Sequence, residues 1–166
     1  MQNIDIRKAS PGDLSVLLAI AFDVGSAKVG GYFEQSFARD DRPIYIAALD
    51  GADAGYCFLN WAPKYAFYRR FDIPEIQDLN VMRDMRRRGA ARALIAHCEG
   101  LAREAGKMHI GIGVGLDASY GPAQILYAHS GYVPDGNGVT YDRKTVAHGE
   151  FRPVDDDLSL MLVKEL

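Results

Sequence analysis

The chain is poor in cysteine. It has two, Cys57 and Cys98, with neither a metal spacing nor a disulfide framework around them. Both read as small buried apolar residues of a reducing compartment. No apolar run approaches the ~18 residues that a membrane span needs. The first residues, Met1 to Lys8, are polar and alternating, which is the pattern of a strand and not of a secretory signal. Cytoplasm is the location these two features favour. Charge of one sign is also lacking: 19 Lys and Arg stand against 22 Asp and Glu, a net −3. A mildly acidic body argues against nucleic acid as a partner, and nothing points to a membrane. The four histidines, His97, His109, His129 and His148, have no His, Cys or carboxylate partner at ligand spacing, so no metal is expected. Gly111-x-Gly113-x-Gly115 lies in a strand and has the wrong spacing for a dinucleotide fingerprint. There is no internal repeat, low-complexity segment or linker, so residues 1–166 read as one domain.

What the chain does have is a core and one local concentration of positive charge. Apolar residues make up 48% of it, enough for a sizeable interior. Arg83, Arg86, Arg87, Arg88 and Arg92 crowd one stretch that ends a strand-like run and opens a helix-like one. A helix N-terminus already carries about half a positive charge, and each nearby cation is unfavourable there by about 0.3–1 kcal/mol. Arginines gathered at that end are suited to an anion. Gly89, Ala90 and Ala91 let a ligand approach the backbone closely, and the first N–H groups of a helix have no internal partner. A phosphate or pyrophosphate is the natural guest.

Periodicity supplies the elements. Residues 3–8 alternate as a strand, and Ser10-Pro11 starts a helix that runs to about Asp23. A second helical segment covers roughly Lys28 to Ala38. A hairpin follows, with strands at 44–50 and 55–61 around a turn at Gly51-Ala52-Asp53. Residues 62–72 form an aromatic-rich connection, with Trp61, Tyr65, Phe67, Tyr68 and Phe71 closing a core, a dimer face or the wall of a pocket. A strand spans about 73–81. Gly89–Ala105 is the clearest helix, with Ala91, Leu94, Ile95, Cys98, Leu101, Ala102 and Ala105 on one face. A strand at 109–114, a short helix at 122–130 and strands near 139–143 and 158–164 complete the chain. The acidic run Asp155-Asp156-Asp157 reads as solvated, or as an attractor for a cationic ligand.

Three segments now line up: Glu75-Ile-Gln-Asp-Leu79-Asn-Val81, then Arg86-x-x-Gly89-x-Ala91, then Ala123-x-x-Leu126-Tyr127-x-x-x-Gly131-Tyr132. Together they resemble the GNAT superfamily of acyl-CoA-dependent N-acyltransferases, as seen in uncharacterised bacterial members. The first pair is similar to that family's fourth strand and its (Gln/Arg)-x-x-Gly-x-(Gly/Ala) pyrophosphate loop. The last is similar to its Ala-x-x-Leu-Tyr-x-x-x-Gly-Phe helix. Tyr120 departs from the Asn often found there, and Arg83 from a hydrophobic residue or Pro. The resemblance implies an α/β fold of GNAT type: a mostly antiparallel twisted sheet, strands 4 and 5 splayed, and helices on both faces.

The resemblance also implies a ligand and a reaction. Acetyl-CoA would be the acyl-donor cosubstrate, with no metal. Its pyrophosphate would lie on Arg86, Arg87, Arg88, Gly89, Ala90, Ala91 and Arg92. Its pantetheine arm would pair with Leu79, Asn80 and Val81, and Tyr127 would contact it as well. An amine acceptor, from a small molecule or a peptide, would attack the thioester directly; a homodimer is left open. Tyr127 is the acid candidate: an unshifted phenol titrates near ~10 and a thiol near ~8.5, so at neutral pH the phenol can donate. Glu75 matches a carboxylate that several members carry on the fourth strand and is the base candidate, though a free Glu near ~4.3 needs burial, a relay water or a weakly basic amine to do that work. Asp78 falls on the opposite face of a regular strand and ranks behind it. A GNAT-like domain that binds CoA without turnover, as a sensor or assembly subunit, is the alternative.

Overall fold

Alternating and helical patterns sort the chain into eight strands and five α-helices in a computed structural model that describes residues 3–26 and 30–166. The strands are β1 (Ile4–Lys8), β2 (Ile44–Leu49), β3 (Ala52–Asn60), β4 (Glu75–Val81), β5 (His109–Gly115), β6 (Val133–Tyr141), β7 (Lys144–Thr145) and β8 (Leu158–Glu165). The helices are α1 (Leu14–Asp23), α2 (Tyr32–Phe37), α3 (Ala66–Arg70), α4 (Ala90–Glu104) and α5 (Gly121–His129). The chain divides into two compact units, each discontinuous in sequence. The first holds residues 1–61 and 76–101, the second residues 62–75 and 102–166.

In the first unit the strand order is β1-β2-β3-β4. β1 runs antiparallel to β2, and β2 to β3 with a bulge between Ala47 and Ala48. The β2–β3 turn is Asp50-Gly51, both with positive φ, 51° and 85°. That is the two-residue primed turn whose twist suits a hairpin. It falls ahead of the Gly51-Ala52-Asp53 turn expected from sequence, because β3 already starts at Ala52. Ser10 opens α1 as expected, but through a 3-10 turn, Pro11–Asp13, where the Ser10 amide donates to Asp13 Oδ2 at 2.8 Å. Leu17, Ile20 and Ala21 of α1 and Phe33 of α2 pack on Ile44, Ile46, Tyr56 and Phe58 to form this unit's core. α2 is shorter than its expected span, and expected positions 28 and 29 lie outside the described residues. α4 buries Leu94, Ile95, Cys98 and Ala102, the expected face, while Ala105 lies beyond its end and is exposed.

The second unit carries strands in the order β5-β8-β6-β7, with each neighbour antiparallel. Two of its elements escape sequence reading. α3 lies inside the aromatic connection, and β6 begins at Val133, six residues before the expected strand. The aromatics do close a core: Tyr65 and Tyr68 are buried with Ile73 and Met161, and Phe67 packs against them. The glycines of β5 explain themselves here. Alternate residues of a strand share a face, and side-chain atoms at Gly111 and Gly115 would overlap the rings of Tyr68 and Tyr120. At Gly113 they would meet Met161 Sδ at 3.1 Å.

Candidate active site

The arginine stretch forms a turn and then the N-terminus of α4. Arg87 and Gly89 have positive φ, 61° and 91°, and the helix begins at Ala90. A loop that alternates into left-handed backbone turns successive N–H groups toward one side, the arrangement of an anion-binding nest. The first amides of a 15-residue helix continue it. Arg83, Arg86, Arg87, Arg88 and Arg92 are all exposed, so their charge faces solvent. Some are steered by the protein. The Arg83 amide donates to Asp23 Oδ2 at 2.7 Å, and Arg88 Nη2 reaches Asp50 Oδ2 at 3.3 Å. Arg86 Nε donates to the Val81 carbonyl at 3.1 Å, tying the loop to the end of β4. Leu79, Asn80, Val81 and the loop residues 86–92 are thus joined in one segment of the first unit. Gly55 on β3 leaves room for Asn80 and Val81, where a Cβ would collide with backbone.

β4 carries two carboxylates in contrasting settings. Glu75, the first residue of the strand, belongs to the second unit and is fully buried. Its Oε1 accepts from Arg143 Nη2 at 2.7 Å and Nε at 3.1 Å. Arg143 stands in the two-residue β6–β7 turn, where Asp142 and Arg143 both have positive φ, 49° and 63°. No sequence signal joins Arg143 to a strand 68 residues earlier.

Asp78 departs from the regular strand assumed for it. Its φ is 48°, left-handed backbone inside a strand, which breaks the alternation of faces. The Tyr32 hydroxyl donates a short hydrogen bond to Asp78 Oδ2. The same hydroxyl accepts from Arg42 Nη2 at 3.1 Å, and that nitrogen is 3.8 Å from Asp78 Oδ2. Arg42 also donates to Gln77 Oε1 and Ser36 Oγ, each at 3.0 Å, and lies 4.1 Å above the centre of the Phe58 ring. Tyr32, Ser36, Arg42, Gln77 and Asp78 therefore make one polar cluster over an aromatic floor. Sequence reading gave Tyr32 only a place on a helix and gave Arg42 no role.

Tyr127 lies on α5 and is buried, its ring centre 6.3 Å from that of Tyr132. Its carbonyl accepts the Tyr132 amide past Gly131, which closes the helix with φ 88°. Tyr120 lies over Gly115 and donates to Asp156 Oδ1 at 2.8 Å. Asp155 accepts from Tyr141 at 2.8 Å. Two residues of the acidic run therefore hold tyrosine hydroxyls. The cysteine thiols meet, Sγ to Sγ at 3.6 Å, with both residues buried. Hydrogen bonding to Cys98 and then burial push the Cys57 thiol well up, which leaves it un-ionised and a poor nucleophile. Among the described residues no group of three or more His, Cys, Asp or Glu could hold a metal ion, and no helix is long and apolar enough to cross a membrane.

A cationic nest between a strand and a long helix defines a protein built to hold a phosphate-bearing ligand. The chain belongs to the Acetyltransferase (GNAT) family, whose model matches residues 16–132. Acetyl transfer is the chemistry of that family. No curated protein matches the chain. Among solved structures it is similar to a ribosomal-protein-alanine N-acetyltransferase from Brucella melitensis, at 21% identity and a TM-score of 0.68 over 98% of this chain and 99% of that one. A GNAT family acetyltransferase from Elizabethkingia anophelis with acetyl-CoA bound is similar at 16% identity and a TM-score of 0.68, over 99% of each chain. A PaiA N-acetyltransferase from Thermoplasma acidophilum in complex with coenzyme A is similar at 14% identity and a TM-score of 0.67, again over 99% of each. These likenesses establish a shared α/β fold.

Proposed function

We propose that the chain transfers an acetyl group from acetyl-CoA to a primary amine of a small molecule or peptide. The observation that carries this reading is the left-handed turn at Arg87 and Gly89 opening α4 amid five exposed arginines, in a chain of this family. The pyrophosphate would be held by the amides from Arg87 to Arg92 and by the guanidinium groups, which suit planar contacts to phosphate. The pantetheine arm would pair with the backbone of Leu79, Asn80 and Val81. The amine nitrogen would attack the thioester carbonyl carbon directly, and the C–S bond would break with its electrons on sulfur. Tyr127 would give the departing sulfur its proton. Glu75 enters this scheme as half of an ion pair with Arg143, so a base role there requires Arg143 to release a hydrogen bond.

The test is calorimetric titration of the protein with acetyl-CoA, together with its melting temperature. A ligand that binds the native state raises stability by mass action, by about 2.7 kcal/mol at a hundredfold excess over Kd. Gly89→Asp should lose this response while remaining folded by circular dichroism, since a carboxylate there repels phosphate and blocks close approach. No heat and no rise in melting temperature at millimolar acetyl-CoA would remove the assignment.

A further inference from the structure

We propose that Asp78, and not Glu75, receives the acceptor amine as an ammonium ion and takes its proton. The proposal rests on the acetyl-transfer reading above and names the residue that makes the amine a nucleophile. Access separates the two carboxylates of β4. Glu75 is 0% exposed and its Oε1 already accepts two hydrogen bonds from Arg143, whereas the Asp78 side chain is 31% exposed. Position favours Asp78 as well. It immediately precedes Leu79, where the segment assigned to the pantetheine arm begins, so a group bound at Asp78 lies one residue from the strand that would carry the thioester.

The chemistry of the cluster fits the task. Asp78 is faced by Tyr32 from α2 and by Arg42 from the segment leading into β2. The Tyr32 hydroxyl, braced by Arg42, fixes the carboxylate by donating to it. A carboxylate attracts an ammonium ion, and a guanidinium close by disfavours the ammonium's charge. The pair therefore favours binding the cation and then losing its proton. Left-handed backbone at a residue other than glycine costs roughly 1–2 kcal/mol, and such strain gathers where a side chain must be aimed. In the step itself, an N–H bond of the ammonium breaks and the proton goes to a carboxylate oxygen of Asp78. The freed lone pair forms the C–N bond at the thioester carbonyl. As the C–S bond breaks, sulfur takes one proton and the nitrogen loses its second. One proton passes to solvent overall. The acceptor class that needs this help is an alkyl primary amine, charged at neutral pH, and not a weakly basic aromatic amine.

The experiment compares wild type with Asp78→Asn, Tyr32→Phe and Glu75→Gln. Asparagine tolerates left-handed backbone and can still accept from Tyr32. Putrescine, spermidine, L-lysine and an alanine-first tetrapeptide serve as acceptors, with kcat/KM read from pH 6.5 to 10 and acetyl-CoA affinity measured by calorimetry. Asp78→Asn should bind acetyl-CoA normally and lose about a hundredfold in kcat/KM at pH 7. That deficit should shrink as pH nears the amine's own pKa of ~10, because neutral amine then arrives from solution. Tyr32→Phe should show a smaller deficit with the same trend, and Glu75→Gln a deficit that does not change with pH. Full activity of Asp78→Asn at pH 7, a deficit equal at every pH, or a pH-rescued deficit in Glu75→Gln would each overturn the proposal. If acetyl-CoA binds and none of the four amines is acetylated, the ammonium-acceptor inference falls. If acetyl-CoA does not bind, the acetyl-transfer reading falls instead.

Discussion

Tyr127 is where a single atom can be tested. Replacement by Phe keeps the buried ring beside Tyr132 and removes only the hydroxyl. If that hydroxyl donates to the leaving sulfur, kcat should fall between about tenfold and a thousandfold while acetyl-CoA affinity holds, because the interaction strengthens only in the transition state. An equal fall in affinity would make Tyr127 a cofactor contact. Undiminished kcat would leave water as the proton source. At this scale the sequence was legible where a motif is contiguous: the run from Arg86 to Arg92 forms the turn and helix start its composition implies. It was illegible where partners are distant. Glu75 meets Arg143, and Asp78 meets Tyr32 and Arg42, across separations that no local pattern encodes. The strand-face rule put Asp78 behind Glu75, and it assumed a regular backbone that the left-handed residue does not have.

Elements were read well where periodicity is strong and poorly where turn residues interrupt it. α4 and β5 lie within a residue of their expected spans. β6 was cut short because Pro134, Gly136 and Gly138 look like a loop; the pairing with β8 shifts register between Pro134 and Val139 to absorb them. α3 was missed because five residues are too few for a period to declare itself. β5 offers the sharpest test of packing. In Gly111→Ala the new methyl would overlap the Tyr68 ring, whose hydroxyl donates to the Leu162 carbonyl at 2.5 Å. Overpacking of this kind costs about 1–3 kcal/mol, to be read as a lower urea midpoint at unchanged slope. A midpoint equal to wild type would mean that Tyr68 shifts aside without loss.

Across the whole molecule, titration should bound stability on both sides. Asp13 is held below the usual carboxylate range by the Ser10 amide, Asp41 by its bond to Arg39, and Asp142 by Lys64. A carboxylate depressed in the folded state stabilises it above the unfolded pKa near ~4, and that contribution is lost as pH falls through the folded value. Burial pushes Tyr45 and Tyr56 the other way, up to about 12. Their contribution is complete below the unfolded pKa near ~10 and is lost as pH rises through the folded values. The melting temperature should therefore be flat between about pH 6 and 9 and fall below ~4 and above ~10; an unchanged value from pH 5 to 3 would contradict the acid limb. The order of strands also sets a timetable for synthesis. β8 is the last of the eight strands to be made, yet it lies between β5 and β6. A ribosome adding about 5–20 residues per second leaves β5 without its partner for several seconds. During that interval the nascent chain exposes a strand edge that a chaperone must cover, while the residues of the first unit, complete by Leu101, have already emerged.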